Sequence, residues 1–232
     1  MTTTPSRTST DTTVVSLHRT TGGRVRVTSG GGAFRCLTLG VSPSGARVAL
    51  VPDRALLLTG DSVAFRVSVD AGLTLHLQET SGTVAYDMRG GCASWSLSAS
   101  VGPGAGLVLD ALPWVSAAGS RVARTTDVAL LGDATLLARE TLVVGRSGEP
   151  AGDLVARTSV TRDGRPVLVE ELRSAHLAPY RVLDSVLAIG LDGPHPDAMR
   201  LETGDALWRR LGRETHETAA SLGPIWSRLA SG

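Results

Sequence analysis

The chain has 232 residues, a formal net charge of +1, 42% hydrophobic and 19% charged residues, the balance of a globular chain long enough to bury one core without disulfide or metal staples. Near-zero charge and only 3% aromatic residues exclude the basic field of a nucleic-acid or anionic-membrane binder and the stacking surface of a single-strand binder. All 23 basic residues are Arg, with no Lys and no Asn anywhere, a pattern that reads as a coding bias and lowers the weight any single Arg, Ala or Gly carries.

In chain order, residues 1–12 are Thr/Ser-rich with no apolar segment, and read as a disordered leader rather than a secretory signal. No later run is long enough to span a bilayer. Cys36 and Cys92 belong to no CxxC pair, so both are expected as reduced, buried, small hydrophobes in a cytoplasmic protein. From Val14 to about Leu172 strand follows strand, punctuated by Gly, Pro and Asp. "SVAFRVSV" alternates cleanly, with Val63, Phe65, Val67 and Val69 on one side, and Gly60-Asp61 stands just ahead of it. A type I′ or II′ hairpin is expected at Asp163-Gly164.

Three stretches resemble one another: "SVAFRVSVDAGLTLHLQE" from Ser62, "SWSLSASVGPGAGLVLDA" from Ser94 and "RTTDVALLGDATLLARE" from Arg124. Each is a strand, a short Gly/Asp turn and a Leu-rich strand, recurring near every 30 residues. The fold class is mainly β, in stacked layers forming a solenoid-like arrangement or a curled β-sandwich, and pattern alone does not choose between them. One domain is expected over 13–232, with a β body to about 190 and a helical tail over about 200–232. In the tail, Ala206, Leu207 and Leu211 fall at helical spacing, Thr203 reads as an N-cap and Gly223-Pro224 as a stop, giving one or two C-terminal helices.

No GxSxG, P-loop or HExxH is present, so no enzyme signature is legible. "GPGAG" at 102–106 reads as a turn. The five histidines are scattered; His76 is expected exposed on its strand's polar face, and His195, in "DGPHPD", is open to a weak surface metal contact, but no pair has the spacing of a stable site. The acids are more informative. Asp61 precedes a strand, Glu140 follows "ATLLAR", Glu149 follows "GRSG", and Glu170-Glu171 interrupt "PVLVEEL", where period two puts one on the face with Val167 and Val169. A carboxylate on a buried face is costly unless paired or hydrogen-bonded. Two readings stay open: structural ion pairs with arginines such as Arg139 or Arg146, or a polar, water-filled lining inside the β body.

Taken together in order, "LLTGDS" at 57–62, "LQETSGTVAYDMRGGCA" at 77–93, "LDALPWVSAAGSRV" at 109–122, "ARETLVVGRSGEPAGDL" at 138–154, "RPVLVEEL" at 165–172 and "GPIW" at 223–226 resemble the urease accessory protein family UreD, also called UreH. The chain departs from that pattern at several points. Only Gly60-Asp61 remains of the GGxxxGD turn, Val84 and Asp87 flank Tyr86 where basic residues are usual, "GRSGE" is short, and Pro224 is followed directly by Ile225. The resemblance implies a non-catalytic scaffold or chaperone. Such a protein binds apo-urease and a UreF-type accessory protein, which recruits a UreG-type GTPase, and the assembly inserts nickel into urease. It also implies a β-rich body with an internal tunnel for the metal, with no stably bound cofactor but transient Ni²⁺ transit. Asp61, Glu140 and Glu170 match the family's acidic positions and are the candidate residues of that path; carboxylate and water hold nickel loosely enough to release it. The alternative is a β-rich binding module for carbohydrate or protein docking, with Trp95 and Trp114 exposed in one groove. A third reading, a hydrolase, would use Glu140 and Glu170 as an acid/base pair.

Overall fold

Alternating side chains and Gly/Asp turns fold into seventeen strands and one α-helix among the described residues. The structure, a computed structural model, describes residues 11–193 and 195–231. The strands are β1 (Asp11–Arg19), β2 (Val25–Gly30), β3 (Phe34–Ser42), β4 (Gly45–Pro52), β5 (Ser62–Val69), β6 (Thr74–Glu79), β7 (Thr83–Ala85), β8 (Ala93–Val101) and β9 (Gly106–Asp110). They continue as β10 (Trp114–Ser116), β11 (Arg121–Leu130), β12 (Thr135–Val144), β13 (Asp153–Arg162), β14 (Arg165–Arg173), β15 (Val182–Ile189), β16 (Met199–Arg200) and β17 (Ala206–Gly212), and α1 (Thr215–Ala230) follows.

Two sheets result. One has seven strands in the order β14-β13-β11-β8-β5-β1-β2; the other has ten, in the order β16-β17-β15-β12-β9-β6-β4-β3, with β10 joined to β12 and β7 to β10. The central pairings β5–β8, β8–β11, β6–β9 and β9–β12 are all parallel. A meandering sandwich pairs neighbours antiparallel, so parallel pairing selects the solenoid-like arrangement. Ser62 lies opposite Ser94 and Ser94 opposite Ala123, while Thr74 lies opposite Gly106 and Gly106 opposite Thr135. Successive coils are therefore 32 and 29 residues long on both sheets, which is the recurrence visible in the sequence.

Inward side chains stack from coil to coil: Val67 beside Ala99 beside Val128, and Val69 beside Val101 beside Leu130. Tight turns close one end, each held by its neighbour: Asp133 accepts the Gly104 N–H at 2.5 Å and Asp163 the Gly132 N–H at 2.9 Å. Asp163 (φ +49°) and Gly164 (φ +77°) join β13 to β14, the two left-handed residues of a type I′ hairpin. Longer loops gather at the opposite end, where β5, β8 and β11 begin and β6, β9 and β12 stop.

The tail departs from expectation. Residues 206–212 are not helical: β17 pairs antiparallel with β15. Ala206 and Trp208 face α1 while Leu207 and Arg209 face the other sheet, so both faces are covered and the apolar run mimics helical spacing. The one α-helix among the described residues starts at Thr215. Its N-cap is Glu214 rather than Thr203, in a capping box with Glu217. Gly223-Pro224 does not stop it, because Leu222 and Trp226 pack on Leu137, Val186, Ala188 and Trp208 of the ten-stranded sheet, offsetting the backbone bond that Pro224 removes. The leader lies outside the described residues through residue 10, but Asp11 and Thr12 already belong to β1, where Asp11 pairs with Val63. Both cysteines are free; Cys36 is partly buried as expected of a small hydrophobe, whereas Cys92, in a loop, is exposed.

Candidate functional site

Toward the loop end, the space between the sheets turns from apolar to charged. Period two sends Leu75, Leu77 and then Glu79 of β6 inward, and Leu136, Ala138 and then Glu140 of β12. Glu140 lies opposite Ser185 of β15, and Ser185 opposite Arg209 of β17. Across the core, Trp95 of β8 lies beside Arg124 of β11, and Thr158 of β13 beside Glu170 of β14.

Two ion pairs bridge the sheets. Arg124 donates from Nη1 to Glu140 Oε1, and its guanidinium carbon sits 4.4 Å from the Trp95 ring centroid. Arg209 donates to both oxygens of Glu170, at 2.8 and 3.0 Å, and from Nε to Ser185 Oγ at 3.2 Å. This fork is the strong, geometrically specific form of a carboxylate–guanidinium contact. Between the pairs lies a cavity of about 100 Å³ whose charged lining is Glu79, Asp110, Arg124, Arg139, Glu140, Glu170 and Arg209, beside Thr126 and apolar neighbours, room for several water molecules. Arg124 Nε and Thr126 Oγ1 are buried with no protein partner, so the lining is polar enough to hold them.

Glu79 was missed by sequence reasoning, although the alternation of "TLHLQE" already aimed it inward. Its Oε2 accepts the Leu112 N–H at 2.9 Å. Burial pushes its carboxyl up to about 7, against the opposing pull of the Leu112 hydrogen bond and the Arg124 charge, and with a push from Glu140 and Asp110. Burial also raises Asp110, which stands 4.0 Å from His76. His76 is not the exposed residue expected: it is partly buried, and burial lowers its pKa.

Of the three candidate acids, the structure brings Glu140 and Glu170 to one cavity and places Asp61 elsewhere. Asp61 holds the turn ahead of β5: Oδ2 accepts the Leu58 N–H at 3.0 Å, its own N–H donates to the Leu58 carbonyl at 3.0 Å, and Arg54 lies 3.4 Å away. Gly60, at φ +83°, makes that turn available. The pair Glu170-Glu171 splits as period two requires, but Val169, 70% exposed, and Glu171 turn outward, while Val167 nearer the strand's start is partly buried against the core. Glu171 there meets Arg157 and Arg173. Arg146 pairs with Glu149 as an ion-pair reading anticipates, while Arg139 reaches the fully buried Asp184 at 3.5 Å. His195 is no surface metal contact: it is buried edge-on against Trp208, with Nε2 3.0 Å from the Leu191 carbonyl. Trp95 and Trp114 are 6% and 4% exposed, so neither lines an open sugar-binding groove. Among the described residues no group of three or more His, Cys, Asp or Glu is arranged to hold a metal ion.

Fold and site together define a β-solenoid with an ion-paired layer inside its core. The family model described as "UreD urease accessory protein" matches residues 42–230. The chain is 38% identical over 229 residues to urease accessory protein UreD 1 of Streptomyces griseus, covering 93% of this chain and 90% of that protein. It is 35% identical over 179 residues to UreD 2 of Saccharopolyspora erythraea, covering 76% of this chain and 59% of that protein. With UreD of a Parafrankia species it shares 36% identity over 148 residues, covering 62% of this chain and 50% of that protein. The chain belongs to the UreD family of urease accessory proteins.

Proposed function

We propose that the chain serves urease maturation as a non-catalytic scaffold in the cytoplasm. In this reading it binds the urease apoprotein and a UreF-type accessory protein, and through the latter a UreG-type GTPase. Hydrated Ni²⁺ is its cargo rather than a resident cofactor, and crosses the space between the sheets past Glu140 and Glu170, with Asp61 at the loop end as a third candidate contact. The observation that carries the reading is the polar cavity itself. A core of this size closes readily with aliphatic side chains, and charged groups in it are costly; carboxylates that hold a divalent ion loosely suit a conduit. Family membership supplies the urease context.

The test is co-expression of a cognate urease and its other accessory proteins with Asp61→Asn, Glu140→Gln, Glu170→Gln and the triple variant. Amide replacements keep a hydrogen-bond acceptor for each donor. Nickel per urease active site should fall partially in the single Gln variants and further in the triple variant, with capture of the UreF-type partner retained. Unchanged nickel in all four removes these residues from the path, and full urease activity without this chain removes the scaffold role.

A further inference from the structure

A cavity read as a cation path is lined by three arginines, Arg124, Arg139 and Arg209, and the most deeply buried is Arg124, at 6% exposure. It reaches from β11 across the core to Glu140, lies on the Trp95 ring, and its charge also acts on Glu79. Its Nε has no protein partner, so the side chain is anchored at one end only. Little water screens that charge, so it opposes any cation arriving between the carboxylates. The Trp95 face offers the guanidinium a second support when the carboxylate is taken away.

We propose that Arg124 is a positioning residue that stands in for the cargo, holding the Glu140 carboxylate in the cavity that Glu79 also lines and yielding that place only to a divalent cation. The proposal rests on the reading of the cavity as the nickel path. It adds that the resident guanidinium, rather than the number of acids, sets how tightly the cavity holds metal. Arg209 plays no such part in it, because its fork and Nε are all engaged by Glu170 and Ser185.

The experiment titrates Ni²⁺ against a chromophoric chelator with the full-length chain, comparing each variant with wild type so that surface histidines cancel. Arg124→Gln should bind Ni²⁺ about tenfold tighter, because one opposing charge has left a weakly screened site. Arg124→Lys, which loses the planar fork but keeps the charge, should stay near wild type. Equal affinities for the two variants, or weaker binding by Arg124→Gln, would overturn the proposal, and so would the absence of measurable Ni²⁺ binding in every chain. If Arg124→Gln does not fold, Arg124→Gln/Glu140→Gln carries the test, since it leaves no unpaired charge at that position. It should bind Ni²⁺ tighter than Glu140→Gln, which lacks the same carboxylate but keeps the guanidinium, and equal or weaker binding refutes the stand-in role. Failure of the path reading would appear instead in the nickel content of co-expressed urease, whatever the isolated chain binds.

Discussion

Glu79 makes the folded chain prefer a proton at a pH where the unfolded chain has already lost it. Its carboxyl titrates near 7 in the fold against 4.5 ordinarily. Between those values the folded state binds more protons than the unfolded state, so this group lowers stability as pH rises. Below about pH 4.5 both states are protonated and the effect vanishes; above about 7 it is complete. At 1.36 kcal/mol per pKa unit the full cost is about 3 kcal/mol. Glu79→Gln mimics the protonated carboxyl and keeps an acceptor for the Leu112 N–H. Urea unfolding of both chains at intervals from pH 4.5 to 8 isolates the effect, because Arg124, Glu140 and Asp110, the charged groups acting on Glu79, are common to both. The variant should match wild type at the acid end and exceed it by about 3 kcal/mol at pH 8. Parallel stability curves, or an advantage that grows toward acid, would refute the burial argument.

Other consequences are equally direct. Glu140→Ala strands the buried guanidinium of Arg124 and should cost about 3–5 kcal/mol by chemical unfolding; a loss below about 1 kcal/mol would mean the pair is solvated. Pro224→Ala restores a helix-interior N–H in α1 and should stabilise the chain by up to about 3 kcal/mol, read as a higher melting midpoint. Edge strand β3 exposes Leu37, Leu39 and Val41, and edge strand β14 exposes Val169. The isolated chain should therefore self-associate and gain soluble yield with a UreF-type partner; a monodisperse monomer that gains nothing from that partner in light scattering and yield would contradict this.

What the sequence by itself determined is what short-range physics encodes. Alternation at Ser62–Val69 is a strand because successive side chains must point to opposite faces. Asp163-Gly164 is a hairpin because few residues accept positive φ. The recurrence near 30 residues is a coil because each strand–turn–strand unit leaves an apolar face that its neighbour covers. Glu79 lay within reach of the same alternation rule. Tertiary structure alone decided the parallel pairing, which face of "PVLVEEL" turns inward, and whether Ala206–Gly212 pairs with β15 or coils. The first part of that segment, residues 206–208, is apolar on both faces because the other sheet covers one and α1 the other, and no local period reports two coverings at once. The charged layer was hidden for the same reason. Arg124 and Glu140 are 16 residues apart and Arg209 and Glu170 are 39 apart, in a chain where every basic residue is Arg. Which guanidinium meets which carboxylate, and how little water screens them, is set by what crosses the core; pairing energy and desolvation depend on distance and burial, and neither is a property of neighbouring residues in sequence.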